Sequence, residues 1–487
     1  MTATTRPDAP PANRWAALLV LCAGVLMIVL DMTIVNVALP SIQDDLGFSG
    51  SDLAWVVNAY LIAFGGLLLL AGRLGDLISR RGVFLAGLGV FSVASLACGL
   101  AQSGDMLVIA RFVQGAGGAL TSAVVLGMIV TLFPEPREQA KAIGVYAFVA
   151  SAGGAIGLLV GGVLTQALDW HWIFIVNVPI GIATAVATRR LIAHDTGAGL
   201  RGGADVPGVV LVTGALMLAV YTIVKPAAED GWGAASTLVC GTVALVLLVA
   251  FVAREATARS PLVPLRIFRS RTIVGANAIQ GLGAAGMFGT FFLGSLFLER
   301  VLGYDALEIG LAFLPTCVLM GVVSLRCTDR LVMRFGARNT VIPGLALLVA
   351  GLALFAQAPA DATFATNLLP AMTLLGIGAG VCFPALMNLA MSDAVPQDAG
   401  LASGLVNTTA QVGGALALAV LATVSNTHSE ALVRGGASSA QALTGGFHLA
   451  AWIAAALVGV GLLVALLVVP RPAAAPATDA QVASAVA

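Results

Sequence analysis

One carboxylate sits where a carboxylate is costly. Trp15 to Leu39 is a nearly unbroken apolar stretch of about 25 residues, long enough to cross a bilayer with some tilt, and its one acid is Asp31. An ionisable group inside a spanning helix marks an ion path or a binding site by default. Arg111 stands in a second apolar stretch, Met106 to Leu132. Counted from the expected outer ends, Asp31 lies ~12 Å deep and Arg111 ~9 Å at the helical rise. Opposite charges buried at one depth are expected to pair. Such a pair can do proton chemistry, because its protonation responds to what enters a neighbouring cavity. A static structural ion pair is the competing reading.

Other polar residues recur at helical spacing. Arg111, Gln114, Gly115, Gly118 and Ser122 share one face of a helix, as do Ser403, Asn407 and Gln411. With Asn36, Asn58, Tyr60, Asn277 and Gln280, the side chains Gln114, Asn407 and Gln411 make up the expected substrate cavity. Hydrogen bonding between packed helices is the alternative for each. Gly144, Gly153, Gly157, Gly161 and Gly162 mark a helix that another helix can approach closely.

Several chemistries are set aside. Gly281 to Gly286 matches a dinucleotide fingerprint as a string, but it lies mid-span with no preceding strand. The two lysines, Lys141 and Lys225, follow no glycine, so the chain has no phosphate-binding P-loop. Four scattered histidines offer no metal-ligand spacing, and no cofactor is expected. The cysteines Cys22, Cys98, Cys240, Cys317, Cys327 and Cys382 fall in or beside apolar stretches and read as packing residues. An enzyme would need a buried nucleophile or a metal set, so none is expected.

The elements that must position these residues follow from composition. Of 487 residues, 59% are hydrophobic and 10% charged. Apolar segments of roughly 17–25 residues recur along the chain, which predicts an all-α membrane protein with fourteen spans. With the N-terminus inside, inner loops and tails hold 20 of the 24 basic residues and outer loops hold Lys225, Arg300 and Arg434. That asymmetry predicts cytosolic termini. Gly72–Arg81 after span 2 repeats in register as Asp329–Arg338 after span 10. The repeat predicts two six-helix halves, 14–192 and 271–470, with helices 7 and 8 inserted in a linker, 193–270. Residues 1–13 carry no cleavable signal pattern and, like 471–487, are expected to be disordered.

These motifs resemble the major facilitator superfamily, specifically its fourteen-helix drug:proton antiporters. Gly72–Arg81 is similar to the superfamily's loop motif, departing at Leu77, usually basic, and at Ser79, usually glycine. Arg111-Phe112-Val113-Gln114-Gly115 resembles its helix 4 motif for proton transfer. Leu30–Pro40, Trp170–Pro179 and Gly400–Leu405 resemble motifs of the fourteen-helix branch. Helix 5 resembles the exporters' antiporter motif, with Leu158 where that motif has proline. The resemblance implies a proton-coupled exporter of small amphipathic drugs in the plasma membrane, working by alternating access. Asp31 and Arg111 would couple the proton, and Gly72, Arg73, Asp76, Arg80 and Arg81 would form a cytosolic latch. A facilitator for uptake or lipid translocation on the same fold is the alternative. The expected partners are a small-molecule substrate, protons and the lipid bilayer, with no nucleic acid, and the expected state is a monomer.

Overall fold

The computed structural model describes residues 13–49, 52–197, 199, 205–258, 261–392 and 399–470. The segments 1–12 and 471–487, expected to be disordered, lie outside the described residues. Fourteen long helices follow in order: α1 Arg14–Leu46, α2 Ala54–Leu77, α3 Arg80–Cys98, α4 Gly104–Leu132, α5 Pro136–Ala167, α6 Trp172–Leu191 and α7 Val206–Val224. Then come α8 Ala235–Thr257, α9 Arg271–Arg300, α10 Ala306–Phe335, α11 Ala337–Phe355, α12 Phe364–Ser392, α13 Ala399–Arg434 and α14 Ser439–Leu467. Thirteen are long and apolar enough to cross a membrane over their described residues, and α5 contributes the apolar stretch Gly153–Ala167. No strand occurs among the described residues.

Packing repeats between two halves. In α1–α6, α1 lies on α5 and α6, and α4 lies on α2 and α3. In α9–α14, α9 lies on α13 and α14, and α12 lies on α10 and α11. The halves meet where α5 packs on α10 and α2 on α13. The inserted pair α7–α8 attaches through α7, which touches α2 and α13. The expected all-α fold with two six-helix halves and an inserted pair is thus the fold observed.

Prolines changed boundaries but not the count. Sequence reading ends the first span at Leu39, whereas α1 runs through Pro40 to Leu46 and stops at Gly47 in the left-handed region (φ 66°). Pro40 removes the hydrogen bond that would reach the Asn36 carbonyl, yet Leu39, Pro40 and Ile42 are buried and hold the helix in place. In α6, Pro179 offers no N–H to the Ile175 carbonyl, and the helix is interrupted at Val176.

Glycines set how closely helices approach. A Cβ on Gly157 would lie 2.0 Å from Thr33 Oγ1, and one on Gly161 2.8 Å from Ile34, so the α5 stripe is the seat of α1. A Cβ on Gly413 would lie 2.7 Å from the Gly281 Cα. Gly281 of the dinucleotide-like string therefore serves the α9–α13 crossing, while Gly283 faces Phe383 of α12 and Gly286 faces Val458 of α14. Cysteine placement needs one correction: Cys22, Cys98, Cys317 and Cys382 are buried, but Cys327 is exposed. It falls in the π-helical turn Ser324–Thr328 of α10, where the wider turn rotates side chains off the regular helical face.

Candidate functional site

Asp31 and Arg111 meet inside the N-terminal half. Arg111 Nη1 donates to Asp31 Oδ2 at 2.6 Å, with the side chains 1% and 0% exposed. Asp31 Oδ1 accepts from Gln114 Nε2 at 2.8 Å and from Asn177 Nδ2 at 2.9 Å. Gln114 Oε1 accepts from Arg111 Nη1 at 2.7 Å, and Gln114 Nε2 also donates to Ser95 Oγ at 2.8 Å. Arg111 Nε reaches the Val56 carbonyl at 2.9 Å, and the guanidinium lies 4.4 Å from the Tyr60 ring centroid and 5.7 Å from that of Phe174. Five helices, α1, α2, α3, α4 and α6, thus surround one charge pair. In a low-dielectric interior such a network stabilises its charges only while every donor is in place.

Spacing explains why α4 can hold this pair. Arg111 and Gln114 are one helical turn apart and point the same way. A Cβ on Gly115 would lie 2.4 Å from the Tyr60 carbonyl, so α2 comes close enough for its ring to cover the guanidinium. Sequence reading missed Asn177 and Ser95 as members of the site. Asn177 had a signal, a buried-type amide two residues before a proline in an apolar stretch; Ser95 had none.

A cavity of about 790 Å³ lies between the halves. Its apolar wall includes Val25, Val29, Met32, Phe64 and Leu68, and its polar groups include Ser122, Asn407 and Gln411. Arg73, Asp76, Arg80 and Asp205 line its mouth. That mouth is at the end of the bundle where α1 begins, here the near end. At the far end the halves are joined. Arg300 pairs with Asp44, Gln166 Nε2 donates to Asp305 Oδ2 at 2.9 Å, and a Cβ on Gly162 would lie 2.7 Å from the Ala306 carbonyl.

Of the eight residues expected to line a cavity, Asn407 and Gln411 line this one. Gln114 belongs to the Asp31 network, and Tyr60 is buried against Arg111 and stacked on the cavity-lining Phe64, centroids 5.8 Å apart. Asn36 donates to the carbonyls of Met32 and Thr33 on its own helix. Asn277 joins α9 to Thr409 of α13. Asn58 is fully buried, and both its amide atoms lack a partner among the described residues, as does Gln280 Oε1.

The latch residues gather at the mouth, within the N-terminal half. Asp76 accepts from Arg80 at 2.9 Å, and Arg80 Nη1 also reaches the Gly127 carbonyl and Thr131 Oγ1 on α4, both at 3.1 Å. Arg81 Nη2 donates to the Arg189 carbonyl at 2.9 Å. Gly72 lies against Ala123 of α4, and Arg73 lines the mouth. Ser79 caps α3 and donates to Asp195 Oδ1 at 2.6 Å; the same carboxylate accepts from the Arg80 and Arg81 amides. Glycine, the usual residue at Ser79, could make neither bond. On α5, Gly153 faces Leu26 and Val29, Gly162 faces α10, and a Cβ on Gly144 would meet open space. With Leu158 in place of proline α5 runs unbroken, and the Leu158 carbonyl lies where a Cβ on Gly310 would be 2.5 Å away.

Comparison with known proteins agrees with this architecture. The puromycin resistance protein of Streptomyces alboniger is 39% identical over 461 residues, covering 94% of this chain and 91% of that protein. The cephamycin export protein of Amycolatopsis lactamdurans is 40% identical over 410 residues, 84% of each chain. Among solved structures, the inward-facing, unoccupied bacterial homologue of the human lysosomal transporter Spinster superposes with a TM-score of 0.67 at 16% identity. That match covers 95% of this chain and 99% of that one, and it speaks to the fold alone. Residues 21–418 match the family described as the Major Facilitator Superfamily, and with a buried charge network beside a cavity between two six-helix halves, this multi-pass membrane protein belongs to that family of transporters.

Proposed function

We propose that the protein is a proton-coupled exporter of small amphipathic drugs or antibiotics, acting in the plasma membrane by alternating access. The names of its relatives, among them resistance and export proteins for puromycin and cephamycin, support the substrate class. The observation that carries the coupling is the fully buried Asp31, whose partners Arg111, Gln114 and Asn177 are all donors. A carboxylate suits that cage and a carboxylic acid does not. Protonation therefore changes the energy of the packing around α1, α4 and α6, which is what coupling requires. Roles follow for the other residues. Asp31 carries the proton, Arg111 tunes it, and Asn407 and Gln411 orient a substrate held mainly by apolar area. The Asp76–Arg80 loop biases the balance between conformations. Leu158, packed tightly at Gly310, keeps α5 straight. The arginine asymmetry supports a near end and both termini in the cytosol, with halves bounded at 14–192 and 271–470 around the linker 193–270. The cavity is then open to the cytosol, the conformation that loads substrate for export.

Vesicle efflux by Asp31→Asn tests the reading. The variant should fold and insert, bind substrate without pH dependence, and lose efflux driven by a proton gradient. Normal gradient-driven efflux by well-folded Asp31→Asn would falsify the role of Asp31. Transport by the native protein that persists after the gradient is dissipated would favour the facilitator instead.

A further inference from the structure

A protonated carboxyl needs an acceptor, and the cage around Asp31 offers donors. Each hydrogen bond that Asp31 accepts comes from an N–H: Arg111 Nη1, Gln114 Nε2 and Asn177 Nδ2. When a proton binds, one of these contacts places two hydrogens face to face, and the new O–H finds no acceptor among its present partners. Three neighbouring acceptors are already engaged. Gln114 Oε1 is held by Arg111 Nη1, Ser95 Oγ by Gln114 Nε2 and the Val56 carbonyl by Arg111 Nε. The Tyr60 hydroxyl is buried without any partner among the described residues, and it makes no hydrogen bond to Asp31. Asn177 Oδ1 is the spare acceptor on a residue already bonded to Asp31: it is buried without a partner among the described residues, on a side chain that is 0% exposed.

A primary amide carries its donor and its acceptor on opposite sides of one bond, and a half turn about that bond exchanges them. We propose that Asn177 is a positioning residue that follows the charge of Asp31. Its Nδ2 donates to the carboxylate, and after the amide turns its Oδ1 accepts the proton of the carboxylic acid. No bond other than the Asp31 O–H is made or broken, and the proton stays on Asp31. The charged or titratable groups facing Asp31 among the described residues are Arg111 on α4, Tyr60 on α2 and Cys98 on α3. Neither α5, α6, α9 nor α10 adds a charge. Asn177 opens the helical segment that follows the interruption at Val176, so a turn of its amide acts on α6 where the backbone is least tied. This inference rests on Asp31 as the proton carrier.

Infrared difference spectra between acid and neutral pH, on the full-length protein in lipid, test it. Asp31→Asn identifies the carboxyl C=O band of Asp31. That band is expected at the frequency of a hydrogen-bonded acid in the native protein, at a higher, free-acid frequency in Asn177→Leu, and near its native frequency in Asn177→Ser. Asparagine labelled with 13C at the amide carbonyl should show, in the native protein, an amide band that moves with the Asp31 band. This second measurement needs no variant of Asn177 to fold. An unchanged Asp31 band in Asn177→Leu, or an asparagine band that ignores the titration, overturns the proposal while leaving Asp31 as carrier. Absence of any titrating Asp31 band removes the carrier role and this inference with it. Efflux gives a third readout. Asn177→Leu should lower the rate at every pH and leave the midpoint of the pH profile in place, since it weakens both protonation states. A donor to the carboxylate alone would instead shift the midpoint to alkaline pH with the rate preserved, and that result overturns the switch.

Discussion

The chain writes one loop twice and uses the two copies differently. In register, Arg81 corresponds to Arg338, and the two do the same work. Arg81 donates to the Arg189 carbonyl at the end of α6, while Arg338 donates to Leu466 and Val469 at the end of α14, at 2.8 and 2.9 Å. Each arginine answers the negative end of the last helix in its half. Elsewhere the copies part. Asp76 corresponds to Met333, which is 80% exposed, and Arg80 to Ala337. Ser79, extended and bonded to Asp195, corresponds to Gly336 at φ 81°, a turn that favours glycine. The shared arginine is architectural. The acid, its arginine partner and the Ser79–Asp195 clasp belong to the first copy, the half that also buries Asp31 and Arg111. The repeat is a shared frame, and the charge pairs Asp76–Arg80 and Asp31–Arg111 sit in one half of it.

That asymmetry can be broken most severely at its centre. Arg111→Ala strands a buried carboxylate, and loss of a buried partner costs about 3–5 kcal/mol. Thermal unfolding in detergent should show the largest loss of stability of any variant named here, and efflux should fail. Exchanging the charges, Asp31→Arg with Arg111→Asp, should recover only part of the stability and no transport, since it sets each charge against the other's hydrogen-bond partners; recovery of both would make the pair purely structural.

The two capping arginines come next and sharpen the comparison directly. Arg338→Ala releases two carbonyls from a buried cation and should cost about 1.5–3 kcal/mol. Arg81→Ala releases one carbonyl from a half-buried cation and should cost less. Equal losses in a thermal-shift assay would contradict the reading that burial and the second acceptor make the difference.

At the unmatched position the effect should be on turnover. Asp76→Asn breaks the pair with Arg80 and should slow efflux with substrate affinity nearly kept, whereas Met333→Ala should do neither. A variant at Asp76 that cycles at the normal rate but binds poorly would count against a role in switching.

The smallest effect is at Asp195. Burial pushes its carboxyl up, but the Ser79 hydroxyl and the Arg80 and Arg81 amides outweigh that and hold it below the usual carboxylate range. A carboxylate held low gives its stabilisation above its unfolded pKa and loses it as pH falls through the folded value. Asp195→Asn should therefore lower stability at neutral pH by about 1 kcal/mol or less, and the gap to the native protein should close in strong acid. A gap that persists there would assign the contact to shape instead of charge.

Much of this could be read in the chain before it was folded. Long apolar runs must become helices, because a bilayer leaves backbone groups no other partner. The same runs made Asp31 and Arg111 conspicuous, since a lone charge among apolar residues needs its opposite. The spans, the duplicated loop and the Asp31–Arg111 pair are one-dimensional facts of this kind. Tertiary structure decided everything that depends on which face of a helix meets which neighbour. Depth measured from presumed helix ends matched the pair even though α1 continues past Pro40, because helix packing rather than end position sets where side chains meet. Asn177 and Ser95 joined the site through α6 and α3, from 146 and 64 residues beyond Asp31 in the sequence. Four of the eight polar residues expected in a cavity, Gln114, Tyr60, Asn36 and Asn277, bond or stack with other groups, since periodicity gives a face but not its occupant. Composition compelled the helices and the charge pair; only packing chose the partners.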